Sequence, residues 1–364
     1  MSMRRRTVIA VMITLLLVVD AVVAGSSSKV ATGGPQGEAS VAAQGSPLVA
    51  YLGPSNTQSI VYVTGERGGP KRRIGLGEQP LISPDGAYYV AASATNFKGG
   101  ALLLYSTEGG APRQFFDSGN QTATPLAWSP NGRYLAVGLL GTSVNSARGA
   151  GLAVIDTQTW SVKLVAKGVI SGASFDPSGA PELVYGLSAS QLLTAPSNLQ
   201  EVSVEGGAST PLTHNGRSIA PIWGAKGIIF TREQMRGMDK APEYQLWLMR
   251  GSQLEQLTSL KANALVDGLI PLDVSSDGNR IIAAFVGQDT DEAWTVQISP
   301  RKVRQVPFGQ TTVQPAGISS DGQQLLLDAG SFEQSPAHGT VETMAFAGGR
   351  PSTVTAGAGA SWNS

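Results

Sequence analysis

The sequence predicts an all-β fold: a seven-bladed β-propeller closed by a C-terminal strand that joins the N-terminal blade, preceded by an N-terminal signal or anchor helix. Three observations predict it. The 364 residues include 45 Gly and 21 Pro but only 14% charged residues, and Gly and Pro each cost stability inside helices, which favours short strands and tight turns. A four-residue turn recurs about every 44–51 residues, near the propeller-blade period of roughly 40–45. An apolar run of strand length follows each turn.

Composition also removes whole classes of function. Lys+Arg and Asp+Glu both number 26, so the chain lacks the basic surplus that nucleic-acid binding draws on. With no cysteine there can be no disulfide, thiolate metal site, Cys nucleophile or Cys-linked lipid. Two histidines, His214 and His338, are all that remain for imidazole chemistry.

Taken in order, the chain opens with Arg4, Arg5 and Arg6, an apolar run from Val8 to Val19, and the small residues Ala21 to Gly25. That is the pattern of a secretory signal peptide over residues 1–24, cleaved after Ala24, or of an uncleaved signal anchor. Either way the remainder is expected outside the cytoplasm, secreted or held at the plasma membrane by residues 8–24. Residues 25–45, rich in Gly, Ser, Ala and Gln, have too few large apolar groups to order themselves and read as a linker. The propeller is expected over 46–364.

Its first blade begins without a first strand: Leu48 to Leu52, Ile60 to Val63 and Lys71 to Ile74 supply strands two to four. Six marker turns follow, at Ser83-Pro84-Asp85-Gly86, Ser129-Pro130-Asn131-Gly132, Asp176-Pro177-Ser178-Gly179, Gly224-Ala225-Lys226-Gly227, Ser275-Ser276-Asp277-Gly278 and Ser319-Ser320-Asp321-Gly322. Each ends a short first strand that often opens on proline, as in Pro125 to Trp128 and Pro221 to Trp223. Unbroken apolar runs such as Tyr134 to Val137 and Ile281 to Phe285 suit second strands covered on both faces. Third strands such as Leu152 to Ile155 lead into Gly-rich hairpins, because Gly supplies the positive φ of tight turns. Pro112, Pro211 and Pro351 start outer fourth strands, where a missing N–H costs no ladder bond. Trp362 echoes Trp128 in position, so the tail is expected to provide the missing first strand beside Val49.

The Pro-led strand, Ser-Pro-Asp-Gly turn, Leu-Tyr or Leu-Trp strand, Gly-Gly hairpin and closing Leu-Thr strand resemble the TolB-type, WD40-like repeats of exported bacterial propellers. Pro80 through Phe115 and Pro221 through Thr258 carry the resemblance best. The propeller half of LpqB-type lipoproteins is similar too. The resemblance implies a binding platform for an envelope or extracellular protein, not an enzyme, and no cofactor. A separate N-terminal domain like those of both groups is not expected, and the lipidation cysteine of the lipoproteins has no counterpart in this sequence.

Candidate chemistry is sparse. The turn residues Asp85, Asn131, Asp277 and Asp321 are expected to bond their own backbone rather than cations. Trp128, Phe175, Trp223 and Trp362 occupy one repeat position and are expected between blades. The histidines lie in separate repeats with no metal-ligand spacing and read as exposed loop residues. No nucleophile elbow, P-loop or H-E-x-x-H is present. Binding is therefore expected on the loops between second and third strands, which vary in length on a constant scaffold. Phe97, Met235, Arg236, Met238, Asp239 and Phe332 are the candidate rim residues. A lyase- or lactonase-type enzyme, or a binder of a small carbohydrate or peptidoglycan fragment at the channel mouth, is the alternative. The membrane is expected to be touched only through the N-terminal segment.

Overall fold

The computed structural model describes residues 47–363 apart from 55–58, 93–100, 118–120, 141–148, 191–194, 235–242, 261–266, 288–289, 308–311 and 331–337. The described residues form strands and no α-helix. β1 (Leu48–Leu52), β2 (Ile60–Gly65) and β3 (Arg72–Leu76) come first. β4 (Glu78–Ile82), β5 (Tyr88–Ala92), β6 (Ala101–Ser106) and β7 (Arg113–Asp117) make one four-stranded antiparallel sheet. β8 (Thr122–Trp128), β9 (Tyr134–Leu140), β10 (Gly151–Asp156) and β11 (Ser161–Lys167) make the next. β12 (Val169–Phe175), β13 (Glu182–Ser188), β14 (Ser197–Ser203) and β15 (Thr210–Pro211) repeat the pattern.

Two further four-stranded sets are joined into one sheet. They are β16 (Ser218–Gly224), β17 (Gly227–Gln234), β18 (Glu243–Arg250) and β19 (Gln253–Gln256), then β20 (Asp267–Val274), β21 (Arg280–Gly287), β22 (Thr290–Gln297) and β23 (Lys302–Gln305). A short parallel contact, Glu243 with Asp267 and Tyr244 with Gly268, links β18 to β20. β24 (Val313–Ile318), β25 (Gln324–Gly330), β26 (Gly339–Ala345) and β27 (Ser352–Ala356) complete the repeats. β28 (Ala358–Trp362) then pairs antiparallel with β1, setting Trp362 opposite Val49.

The marker turns close as their sequences dictate. Ser83, Ser129, Ser275 and Ser319 each donate a side-chain hydrogen bond to the Asp or Asn two residues on, and that same oxygen accepts the N–H of the residue after the turn glycine. The glycines Gly86, Gly132, Gly278 and Gly322 sit at φ of 69, 69, 67 and 68°, a region that a side chain would strain. The turn acids are thus consumed by local structure.

The inner strands differ from expectation in one respect. They start two to four residues before their prolines, and proline lies inside them, at or beside a bulge. The innermost strand has one edge facing a channel rather than a neighbour, so the missing N–H breaks no ladder there. Three residues before the strand's closing residue, or four in β16, the chain uses one of two devices. Pro125, Pro271 and Pro315 occupy the position in three strands. In the other four, Gln79, Gly172, Ala220 and Gly359 take positive φ of 51, 147, 49 and 64°. Both devices push the strand out of register at the same height.

Apolar clusters lie between successive sheets, each drawing on two of them. The repeated aromatics sit there. Phe175 is buried against Tyr134 with ring centroids 6.4 Å apart, and Trp128 donates its indole N–H to the Leu81 carbonyl of the preceding sheet at 3.3 Å. Trp362 is buried with Val49, Leu326 and Val341. Antiparallel order puts the marker turns and the Gly-rich hairpins at one end of the sheets, the hairpin face. The second-to-third loops and the links between repeats lie at the other end, the loop face.

Candidate functional site

The bulged inner strands surround a cavity of about 620 Å³, within the range of small-ligand sites. Its wall is built from β4, β8, β12, β16, β20, β24 and β28, and it reaches the loop face through Ser188, Ser190, Arg217, Glu233 and Val286. Prolines 80, 125, 221, 271 and 315 give much of the wall an apolar, donor-free surface. Polar groups are set into it at a few points.

Two of those points are carboxylates. Asp273, on β20, accepts the Ile318 N–H of β24 at 2.9 Å and the Val274 N–H at 2.8 Å. Asp328, on β25, accepts the N–H groups of Gly359 and Ala360 of β28 at 3.0 and 3.2 Å. Burial pushes Asp273 up to about 6 and Asp328 up to about 7, against the pull of these backbone donors. Removal from water penalises the charged form more than two N–H groups favour it. The same clasp is made with neutral groups elsewhere. Ser174 accepts the Trp223 N–H at 3.0 Å, Ser171 the Ala220 N–H at 3.2 Å, and Ser361 the Ile82 N–H at 3.3 Å.

A second polar group lies at the loop-face mouth. Arg217 is exposed, and its carbonyl accepts the Glu233 N–H at 2.9 Å. Burial raises the Glu233 carboxyl while the Arg217 charge holds it down. Buried Tyr244 has its phenol pushed up by burial and by Glu233. Ser197, 2% exposed, has a buried hydroxyl with no hydrogen-bond partner. A guanidinium, a carboxylate, a phenol and a hydroxyl on one wall can orient a polar ligand, and the channel acids can exchange protons near neutrality.

Sequence reasoning did not find these groups. Asp273 and Asp328 each interrupt or end an apolar run, Ile270 to Val274 and Leu325 to Ala329, and an acid in such a place was the signal to follow. The proposed rim residues Phe97, Met235, Arg236, Met238, Asp239 and Phe332 all lie outside the described residues. His214 and His338 are exposed and in different sheets, as expected. Among the described residues no group of three His, Cys, Asp or Glu side chains is placed to hold a metal.

No protein-family model and no curated protein sequence matches the chain. Solved structures do. TolB from Acinetobacter baumannii is 14% identical with a TM-score of 0.51, over 89% of this chain and 68% of that one. The β-propeller domain of the Trilobed protease from Pyrococcus furiosus is 12% identical with a TM-score of 0.60, over 86% and 93%. An oligogalacturonate lyase in complex with manganese is 14% identical with a TM-score of 0.54, over 84% and 83%. The last two correct the expectation that a chain of this kind is no enzyme. A lyase matches nearly end to end, and a protease carries the same kind of domain, so the scaffold is shared with catalysts. The expectation leaned on scarce histidine and absent hydrolase motifs, but carboxylates set into one cavity wall from separate repeats are invisible to that test. At these identities the likeness establishes architecture, and the architecture is that of a TolB-like β-propeller.

Proposed function

We propose that the chain is an exported seven-bladed propeller, closed where β28 pairs with β1, that binds an envelope or extracellular protein at the loop-face mouth of its channel. The observation that carries this reading is the cavity itself. It is about 620 Å³, walled by inner strands, and charged only where it opens and along one side. The length variation of the surrounding loops supports it, since diversity on a rigid scaffold is the usual location of recognition. The signal-like residues 1–24 and the likeness to TolB support an extracytoplasmic setting. Domain limits at 24 and 45 belong to the same reading.

The test is site-specific photo-crosslinking in the native envelope. A crosslinker at Arg217 should give a discrete protein adduct, and one at Ser178 on the hairpin face should not. Changing Met235, Met238 and Phe97 to polar residues should remove the adduct. Equal profiles from both positions, or from the variant, overturn the reading.

A second reading is favoured by Asp273, Asp328, Glu233 and Arg217 on one cavity: a lyase-type site for a small acidic carbohydrate. Manganese bound at one ion per chain, together with unsaturated product from a uronate oligomer, would establish it. Neither signal would remove it.

A further inference from the structure

The hairpin face is electrically divided. Over the sheets β20–β23, β24–β27 and β28–β3, its exposed hairpin residues include Arg301, Lys302, Arg350, Arg67 and Lys71. The carboxylates on this arc are Glu66, which lies 3.7 Å from Arg67, and the turn acids Asp277 and Asp321, which are engaged with their own turns. Arg301 bonds Glu255, which Arg250 also reaches, so that carboxylate is shared by two guanidiniums. Arg304 ties the arc together by donating to the Ala347 and Phe346 carbonyls of the next hairpin. On the opposite arc the hairpin and turn acids Asp85, Glu108, Asp156, Asp176 and Glu205 are set among the bases Arg113, Arg133 and Lys163, with Arg133 held by Asp156 and Glu108 reached by Arg72, so this arc carries no basic excess.

The chain enters the fold on the basic arc. The Pro47 carbonyl accepts the Glu66 N–H at 3.1 Å, beside Arg67. Upstream lie the basic and apolar residues 4–19, followed by the Gly- and Ser-rich stretch 25–45. Gly- and Ser-rich sequences of about twenty residues span on the order of 25 Å as a general rule, so any bilayer that residues 8–24 enter lies within reach of this face. Anionic headgroups attract basic residues by about 1 kcal/mol each near the surface.

We propose that this arc docks on anionic lipid headgroups, so that the propeller stands hairpin-face down and presents its channel mouth away from the membrane. Among the described residues of the arc there is no large exposed apolar cluster, so attraction is electrostatic and reversible rather than insertion. It is a contact separate from the N-terminal segment and from the channel.

The test uses the full chain in lipid nanodiscs. Because the sequence has no cysteine, Ala347→Cys and Ser178→Cys each accept a single environment-sensitive dye, on the basic and acidic arcs respectively. With phosphatidylglycerol present, the dye at 347 should be quenched by headgroup quenchers several-fold more than in pure phosphatidylcholine. That excess should vanish in 1 M salt, where the screening length is about 3 Å, and in the Lys71→Glu, Lys302→Glu, Arg350→Glu variant. Unchanged melting of the variant shows that it remains folded. Where the N-terminal segment has been removed in the cell, cosedimentation with the same vesicles replaces the nanodisc. Equal quenching in both lipids, equal quenching at 347 and 178, or quenching that survives charge reversal overturns the proposal.

Discussion

Asp273 and Asp277 belong to one sheet and are separated by only Val274 to Ser276, yet their carboxyls titrate in opposite directions. Asp277 is exposed in the marker turn, where the Ser275 hydroxyl and the Asn279 N–H hold it below the ordinary carboxylate value. Asp273 faces the channel, where burial outweighs two backbone donors and raises it to about 6. The next repeat shows the same split, with Asp321 lowered in its turn and Asp328 raised to about 7 beside β28. Hydrogen bonds to both kinds are similar in number and length. Access to water, helped in the turns by the charges of Lys226 and Arg280, decides the sign.

The largest disturbance of this contrast should come from Trp362→Ala. The indole is 8% exposed against Val49 and Leu326, and truncation of a buried tryptophan costs about 3–5 kcal/mol. Urea unfolding should register that loss. Loosening β28 should also bring Asp328 back toward the normal carboxylate range, visible in its side-chain carbon shift against pH.

Next comes the pH dependence of the channel pair. Their folded values lie above the unfolded value near 3.9, so the folded state keeps protons that the unfolded state has lost. Their contribution to stability is then greatest below about pH 4 and is lost as pH rises through 6 and 7, by on the order of several kcal/mol for the pair. The double variant Asp273→Asn, Asp328→Asn should flatten that decline. A decline of wild-type slope in the variant would mean that other groups cause it.

Smaller again is Ser174→Ala, which removes a neutral version of the clasp and leaves the Trp223 N–H without its acceptor. A loss of about 1 kcal/mol is expected, the same at pH 5 and pH 8. The least effect should follow Asp321→Ala in the exposed turn. Because that carboxyl is lowered, its contribution is present above the unfolded pKa and fades as pH falls through the folded one, the reverse of Asp328. Parallel melts of Asp321→Ala and of the double Asp273→Asn, Asp328→Asn variant from pH 2 to 8 would expose the opposed slopes.

The turn acids were legible because everything that fixes them lies within five residues: Ser319, Asp321, Gly322, Gln323 and Gln324 contain the whole device. Strands were legible for the same local reason, from apolar runs bounded by those turns. The return of Trp362 to Val49 was readable from repeat phase alone. Asp328 was not, because what makes it unusual is β28, some thirty residues away, folding over it. Gln79 and Ala220 carry no mark of the positive φ they adopt. That conformation is imposed by the bend every inner strand shares, and proline occupies the position itself in three strands but follows it in β4 and β16. The loops that carry Met235 and Phe97 lie beyond the described residues, so their part in recognition rests on the crosslinking experiment.

The contact between Asn363 and Leu48, whose carbonyl accepts the Asn363 N–H at 3.3 Å, has a practical corollary. A short peptide could splice the two ends together, and the polypeptide could then be opened at another site, such as the Gly109-Gly110 hairpin tip, where Gly110 is exposed. Such a permuted molecule would move the seam to a different sheet while keeping every strand's neighbours, and would free the present seam for fusion of a reporter or tether.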